Sequence, residues 1–283
     1  MRYGFKIRIF NTQYTKYPYF CENSLQKMSQ KPLILVTNDD GISAPGIRAL
    51  IAVMSEIGDV VVVAPDRPQS AMGHAITINN TLYLNKISKE NDLVLEYSCS
   101  GTPVDCVKMA VNEVLKRKPD LCVSGVNHGS NSSINVIYSG TMSAAVEAGI
   151  EGIPAIGFSL CDYDWNANFE IIKPFLKKIA LQVLQNGLTQ GTVLNVNFPK
   201  LAFEDIKGIK ICRQAIAMWR EKFDKRTSPF GKDYYWLSGE FVNQDHGEDT
   251  DEWALANGFV SIVPVQFDLT AHHTISILNE WKF

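Results

Sequence analysis

Two carboxylates, Asp39 and Asp40, stand side by side where an apolar run ends in "LVTNDDGIS". Unit charges about 4 Å apart repel by about 1 kcal/mol in water and by about 4 kcal/mol at an intermediate dielectric. A chain tolerates such a pair as a solvated turn that caps the next helix, or where a cation lies between the two. A divalent metal reverses the sign of the local field and lets the same pair face an anionic phosphate. A dinucleotide-binding loop puts glycines at this place and presents bare N–H groups. Here there is one glycine, Gly41, and no GxGxxG, which speaks against a dinucleotide-dependent oxidoreductase.

Other polar loops follow apolar runs. "APDRPQSAMGHAIT" contains Ser70, and "SGVNHGSN" contains Asn127. "VIYSGTMSAA" places Ser139, Gly140 and Thr141 just before a helix, and helix N-terminal N–H groups bind phosphate readily. Two carboxylates, a hydroxyl and an amide oxygen form an all-oxygen donor set, which suits Mg²⁺ or Mn²⁺ better than Zn²⁺. Taken singly, Ser70 is an ordinary loop serine and Asn127 a turn former. His128 reads as a polar loop residue, "DHGEDTDEW" as a solvated turn plus a helix cap, and His272 and His273 as structural.

The elements that must position these residues are well marked. Leu33–Thr37 and "DVVVVAP" are continuous apolar runs, as in parallel strands covered on both faces. Between them Ile47, Leu50, Ile51, Met54 and Ile57 share one helical face behind Pro45, and Gly58 stops the helix. "LYLNKI" and "LVLEYSC" read as strands. "GTPVDCVKMAVNEVLKRKPD" reads as a helix with Thr102 as N-cap, Pro103 in the first position, Asp105 closing a capping box and Pro119 ending it. The strand "LCVSG", the helix "GTMSAAVEAGIEG" and the strand "IPAIGFSL" continue the alternation. It predicts an α/β fold: a Rossmann-like, doubly wound, mostly parallel sheet with its ligand site at the strand carboxyl ends. Further on, residues 169–186 read as a helix with Pro174 early in it, and "VLNVNFP" and "IKGIKICR" as strands. Residues 215–240 are aromatic and charged without a clear period and read as an extended arm or hairpin that reaches a neighbouring subunit. "TDEWALANGFVSIVPV" gives a short helix capped by Thr250 and a strand.

The chain has 283 residues, ample for a sizeable core, and a net charge of −3. That balance disfavours a general nucleic-acid binder. No run approaches eighteen apolar residues, so no membrane span is expected. Six scattered cysteines with no CxxC pair fit reduced thiols in a cytoplasmic protein. The first 27 residues carry five Lys or Arg against one Glu and lack the apolar core of a signal peptide. They are expected to lie outside the fold, with the functional chain starting near Met28. Residues 28–165 then form the core that carries the candidate metal site, and 166–283 a smaller C-terminal part.

In order, "ILVTNDDGISAPGIRAL", "VVVAPDRPQSAMGHAIT", "SGTPVDCVKMAV", "PDLCVSGVNHGSN", "YSGTMSAAVEAGIEGIPAIGFSL", "LNVNFP" and "DLTAH" closely resemble the SurE family of stationary-phase survival proteins, metal-dependent 5′/3′-nucleotidases. The resemblance runs from Pro32 to His272. It implies hydrolysis of nucleoside monophosphates, and in some members of short polyphosphate. It also implies C-terminal elements swapped between subunits of a homodimer or homotetramer. The family's metal ligands map onto Asp39, Asp40, Ser70 and Asn127, for one divalent ion per subunit. Asp39, Asp40 and Asn127 are then the catalytic residues, and Ser139, Gly140 and Thr141 bind phosphate. The second loop reads "RPQSAMG" where the family pattern is "RNRSG" or "NQSG". The Asp39–Asp40 pattern is not DxD and no Ser–His–Asp order is evident, so no phosphoenzyme is expected. A metal-dependent nucleotide sensor without turnover is the rival reading, since the same ligands serve it.

Overall fold

The structure is a computed structural model that describes residues 31–89 and 92–283. The expectations for residues 1–27 and for Cys21 lie outside the described residues. Strands β1 (Leu33–Thr37), β2 (Asp59–Pro65), β3 (Leu84–Lys86), β4 (Leu95–Cys99), β5 (Leu121–His128), β6 (Ala155–Leu160), β7 (Thr192–Phe198), β8 (Gly208–Ile211) and β11 (Phe259–Gln266) form one sheet. Its order is β3-β4-β2-β1-β5-β6-β7-β11-β8. The β3–β4 and β7–β11 pairs are antiparallel and the other pairs parallel. The alternation of apolar runs and helices thus gives the mostly parallel sheet it predicts.

Apolar surface decides the layering. β1 sits in the middle, with Ile34, Leu35 and Val36 fully buried; each such side chain contributes about 1.5–3 kcal/mol. Ile34 and Val36 face α1 (Pro45–Ser55) and α5 (Lys173–Asn186), through Ile47, Leu50, Met54, Leu176 and Ile179. Leu35 faces the opposite layer, where α2 (Pro103–Met109) and α4 (Gly140–Ile150) pack Cys106, Val107, Ala144 and Ala148. The capping box on Thr102 and Asp105 forms as expected. The α2 segment is shorter than its composition suggests. A wider π-type turn, Ala110–Val114, follows it, and Leu115 is already extended. Chain beyond it must reach β5, which Asp120 does by donating its N–H to Leu33 O at 2.8 Å.

β1 lies between β2, reached through α1, and β5, reached from the other side. The chain reverses direction of winding there, so the carboxyl ends of β1 and β5 flank the crevice where open α/β sheets bind ligands. β5 is longer than "LCVSG": it continues through a register shift between Ser124 and Asn127 and carries Asn127 and His128 to the rim.

The remaining elements are α3 (Asn135–Tyr138), β9 (Ala217–Thr227), β10 (Asp233–Asn243), α6 (Asp251–Ala256) and α7 (His272–Leu278). Among the described residues β9 and β10 pair only with each other, as an antiparallel hairpin of eleven residues a side. Thr250 caps α6 as expected. The solvated-turn expectation fails at Asp251, which is fully buried. Asp251 accepts from the N–H groups of Ser133 (2.7 Å), Ala215 (2.9 Å) and Glu252 (2.9 Å). Three donors give a buried carboxylate the hydrogen bonds that burial otherwise denies it. Cys99, Cys106, Cys122, Cys161 and Cys212 are free thiols, in keeping with the reduced state expected. Among the described residues no helix is long and apolar enough to cross a membrane.

Candidate metal and phosphate site

Asp39 and Asp40 leave β1 at the rim of the crevice, and the turn that carries them is fixed by three hydrogen bonds. Asn38 Nδ2 donates to Gly41 O at 2.9 Å, Ile42 N to Pro65 O at 2.9 Å, and Gln69 N to Asp39 O at 2.8 Å. Gly41 takes φ +97°, where a side chain is strained, and the ideal position of a Cβ there lies 3.4 Å from the Arg67 backbone. The β1 turn and the β2 loop are therefore laced together, and Ser70 follows directly after the Gln69 amide that bonds Asp39. Ser70 is exposed, and its hydroxyl has no hydrogen-bond partner among the described residues.

Farther along, the same loop is held to α2 and α4. Thr77 Oγ1 donates to Asp105 Oδ2 at 2.6 Å, and Thr102 Oγ1 to Ala75 O at 2.7 Å. His74 Nε2 and Glu147 Oε2 pair at 2.8 Å, and Lys108 also pairs with Glu147. Burial alone pushes the Glu147 carboxyl up, but the His74 and Lys108 partners outweigh it, and the net shift is downward.

Asp39 is 5% exposed. Thr141 Oγ1 donates to its Oδ1 at 2.5 Å. The first turn of α4 comes so close that a Cβ on Gly140 would sit 2.7 Å from Asp39 Cβ and 2.9 Å from Oδ2. Burial, and then the neighbouring Asp40 charge, push the Asp39 carboxyl up to about 6, against the Thr141 hydrogen bond, which lowers it. A buried acid raised by its neighbour is the electrostatic condition that a bound cation relieves.

Asp40 has its partner on β5 instead. Its Oδ2 meets His128 Nδ1 at 3.0 Å and the His128 N–H at 3.3 Å. That carboxylate holds the His128 pKa above the ordinary histidine value. His128 also stacks on Trp165, with ring centres 5.3 Å apart and planes 8° from parallel, and meets the Phe169 ring edge-on at 4.9 Å. The expectation of a mere polar loop residue is therefore corrected: β5 carries His128 onto Asp40. Its position beside Asn127 in "VNHG" was the available signal.

Asn127 donates through Nδ2 to His128 O (3.2 Å) and Gly129 O (2.9 Å). Both amide protons are spent on its own loop, and Oδ1 remains as the free donor atom. Two carboxylates, one amide oxygen and the Ser70 hydroxyl fit a hard divalent cation. Ser139 caps α4, its Oγ accepting from Met142 N at 3.0 Å. The Ser139 hydroxyl is thus engaged in the helix cap and the Thr141 hydroxyl on Asp39 itself.

Known proteins share this architecture. The chain matches the family described as Survival protein SurE over residues 34–221. It is 82% identical over 251 residues to the 5′-nucleotidase SurE of Flavobacterium psychrophilum, covering 89% of this chain and 98% of that protein. Its identity to the 5′-nucleotidase SurE of Bacteroides fragilis is 46% over 255 residues, covering 90% and 99%. The crystal structure of the SurE protein from Aquifex aeolicus superposes with a TM-score of 0.77 at 40% identity, covering 88% of this chain and 98% of that one. With agreement of this kind across nearly its whole described length, the chain belongs to the SurE family.

Proposed function

We propose that this protein is a 5′-nucleotidase: a metal-dependent phosphomonoesterase that hydrolyses nucleoside 5′-monophosphates to nucleoside and phosphate. Nucleoside 3′-monophosphates and short polyphosphate are further substrates. The observation that carries the reading is the buried Asp39 beside Asp40 at the β1–β5 crevice, with Asn127 on the β5 rim just before the His128 that bonds Asp40, both its amide protons spent on its own loop. The names of the relatives above agree with it.

Asp39, Asp40, Ser70 and Asn127 would hold one divalent ion per subunit, Mg²⁺ or Mn²⁺, and the chemistry it would supply is polarisation of a phosphoryl oxygen and a lowered pKa for a water. The protein's own part is positioning and charge placement. Thr141 Oγ1 fixes the Oδ1 of Asp39, and His128 fixes the Oδ2 of Asp40, so neither carboxylate swings away when substrate arrives. Ser139, Gly140 and Thr141 present the start of α4 to the non-bridging oxygens. As a water oxygen bonds to phosphorus and the ester P–O bond breaks, Asp39 or Asp40 takes a proton from that water and passes it to the leaving nucleoside oxygen. The protein acts in the cytoplasm as a homodimer or homotetramer, with the β9–β10 hairpin and α7 exchanged between copies. Trp219, Phe223, Trp236 and Leu237 of the hairpin are exposed, which agrees with that assembly.

The test is phosphate release from AMP. It is expected to vanish with chelator and to return with Mg²⁺ or Mn²⁺. Purified protein that binds AMP and frees no phosphate under any divalent ion overturns the enzyme reading in favour of a sensor.

A further inference from the structure

A cleft of about 820 Å³ opens beside the site, lined among others by Ser43, Arg48, Trp165, Asn168, Phe169 and Lys173. Its size is that of a small-molecule pocket. Ser43 lies three residues beyond Asp40, so one wall begins where the carboxylate turn ends. Trp165 connects the opposite wall to the same carboxylate. One face of its indole lies parallel on His128, whose Nδ1 is 3.0 Å from Asp40 Oδ2. Trp165 is nevertheless 55% exposed.

The walls are rigid at the root. A Cβ on Gly46 would stand 2.0 Å from Val126 O and 3.3 Å from the Phe169 ring, so α1 approaches β5 as closely as a backbone allows. The charges in the cleft are already matched. Arg48 bonds both oxygens of Glu96, at 3.0 and 2.8 Å, and Ile42 O at 2.5 Å. Lys173 pairs with Glu170 at 2.6 Å. A second phosphate therefore finds no uncommitted cation among these groups. A flat, neutral, polar ring finds an aromatic face and the edges of Ser43 and Asn168.

We propose that this cleft is the nucleobase subsite and that Trp165 is its stacking platform, so that the protein selects nucleotides over other phosphate monoesters by the base. This rests on the nucleotidase reading and adds to it the group that recognises the part of the substrate remote from phosphorus. Stacking of a base on an aromatic side chain contributes about 1–3 kcal/mol, or about 5- to 150-fold in affinity, and tolerates any base because every base has a π-face. The subsite therefore predicts nucleotide selectivity with modest discrimination among bases.

The experiment compares AMP with ribose 5-phosphate, which has the same phosphate ester and no base, in the full chain and in Trp165→Ala and Trp165→Phe. In Trp165→Ala, kcat/KM for AMP is expected to fall about tenfold or more beyond any fall for ribose 5-phosphate, chiefly through KM. Trp165→Phe is expected to recover most of that difference. Equal losses on the two substrates mean that Trp165 acts only through His128 and overturn the subsite, as does no loss on either. Calorimetric titration with AMP and ribose 5-phosphate under Mg²⁺ separates this from the reading it rests on. If no phosphate is released but AMP binds more tightly than ribose 5-phosphate, and that preference disappears in Trp165→Ala, the subsite stands and the nucleotidase falls. If the unsubstituted protein shows no preference for AMP in either assay, the subsite falls.

Discussion

Replacing Asp39 by asparagine removes a charge from a buried site and keeps the shape. Its carboxyl is raised from the ordinary 3.8 to about 6, first by burial and second by Asp40. At about 1.4 kcal/mol per pKa unit, ionising it costs the fold about 3 kcal/mol without metal. An acid whose folded pKa is raised carries no penalty below its unfolded pKa, near 3.8. The penalty grows as pH rises and is complete above about 6. Asp39→Asn is therefore expected to be more stable than the parent at pH 8 in chelator. The gain is roughly 5–10 °C in melting temperature at these slopes, and it shrinks toward zero near pH 4. The asparagine oxygen still accepts from Thr141, and the like charge beside Asp40 is gone. Scanning calorimetry in chelator at pH 8 and pH 4.5 measures the difference. With Mg²⁺ added, the parent is expected to gain stability by mass action and the variant to gain little, and AMP turnover by the variant falls at least about 100-fold. A variant that melts at or below the parent at pH 8, or whose advantage is as large at pH 4.5, refutes the reasoning.

Gly140→Ala pushes a methyl group against Asp39, at 2.7 Å from its Cβ. Alanine is the better helix former, yet the displaced carboxylate is expected to lower kcat/KM for AMP about 100-fold, read by phosphate release. Asp251→Ala leaves the buried Ser133 and Ala215 amides without an acceptor, and urea titration is expected to show a loss of roughly 2–5 kcal/mol. Sedimentation of the full chain is expected to give a dimer or tetramer, and deletion of 217–243 behind a short glycine bridge to give a smaller species. A strict monomer for the full chain refutes the role assigned to the hairpin.

The parts of the fold legible in the sequence are those where local pattern and burial agree. Leu33–Thr37 and Asp59–Pro65 are apolar because both their faces are covered, and Thr102 and Asp105 satisfy the start of α2 within four residues. Where polar residues are buried by distant partners, the pattern is silent. Asn127 and His128 read as loop because strands rarely end in amide and imidazole, yet β6 pairs with both. Asp251 reads as solvated because its three donors come from segments far apart in sequence, apart from its own neighbour. The hairpin shows no period because both of its faces are largely exposed in the single chain, so neither selects apolar residues by alternation. At the site, the acidic pair announces itself by type. The Thr141 bond to Asp39 does not, because it spans 102 positions.

The hairpin does not float free of the chemistry. Its leading residue, Ala215, and the turn at Ser133 that follows the β5 rim hang from opposite oxygens of one carboxylate, and the Ser133 hydroxyl also grips Ala215 O and Ala217 O. In the proposed assembly, a tug on the arm by a neighbouring copy would be delivered to the chain six residues past Asn127, so that joining of subunits and placement of that loop would share a single mechanical joint.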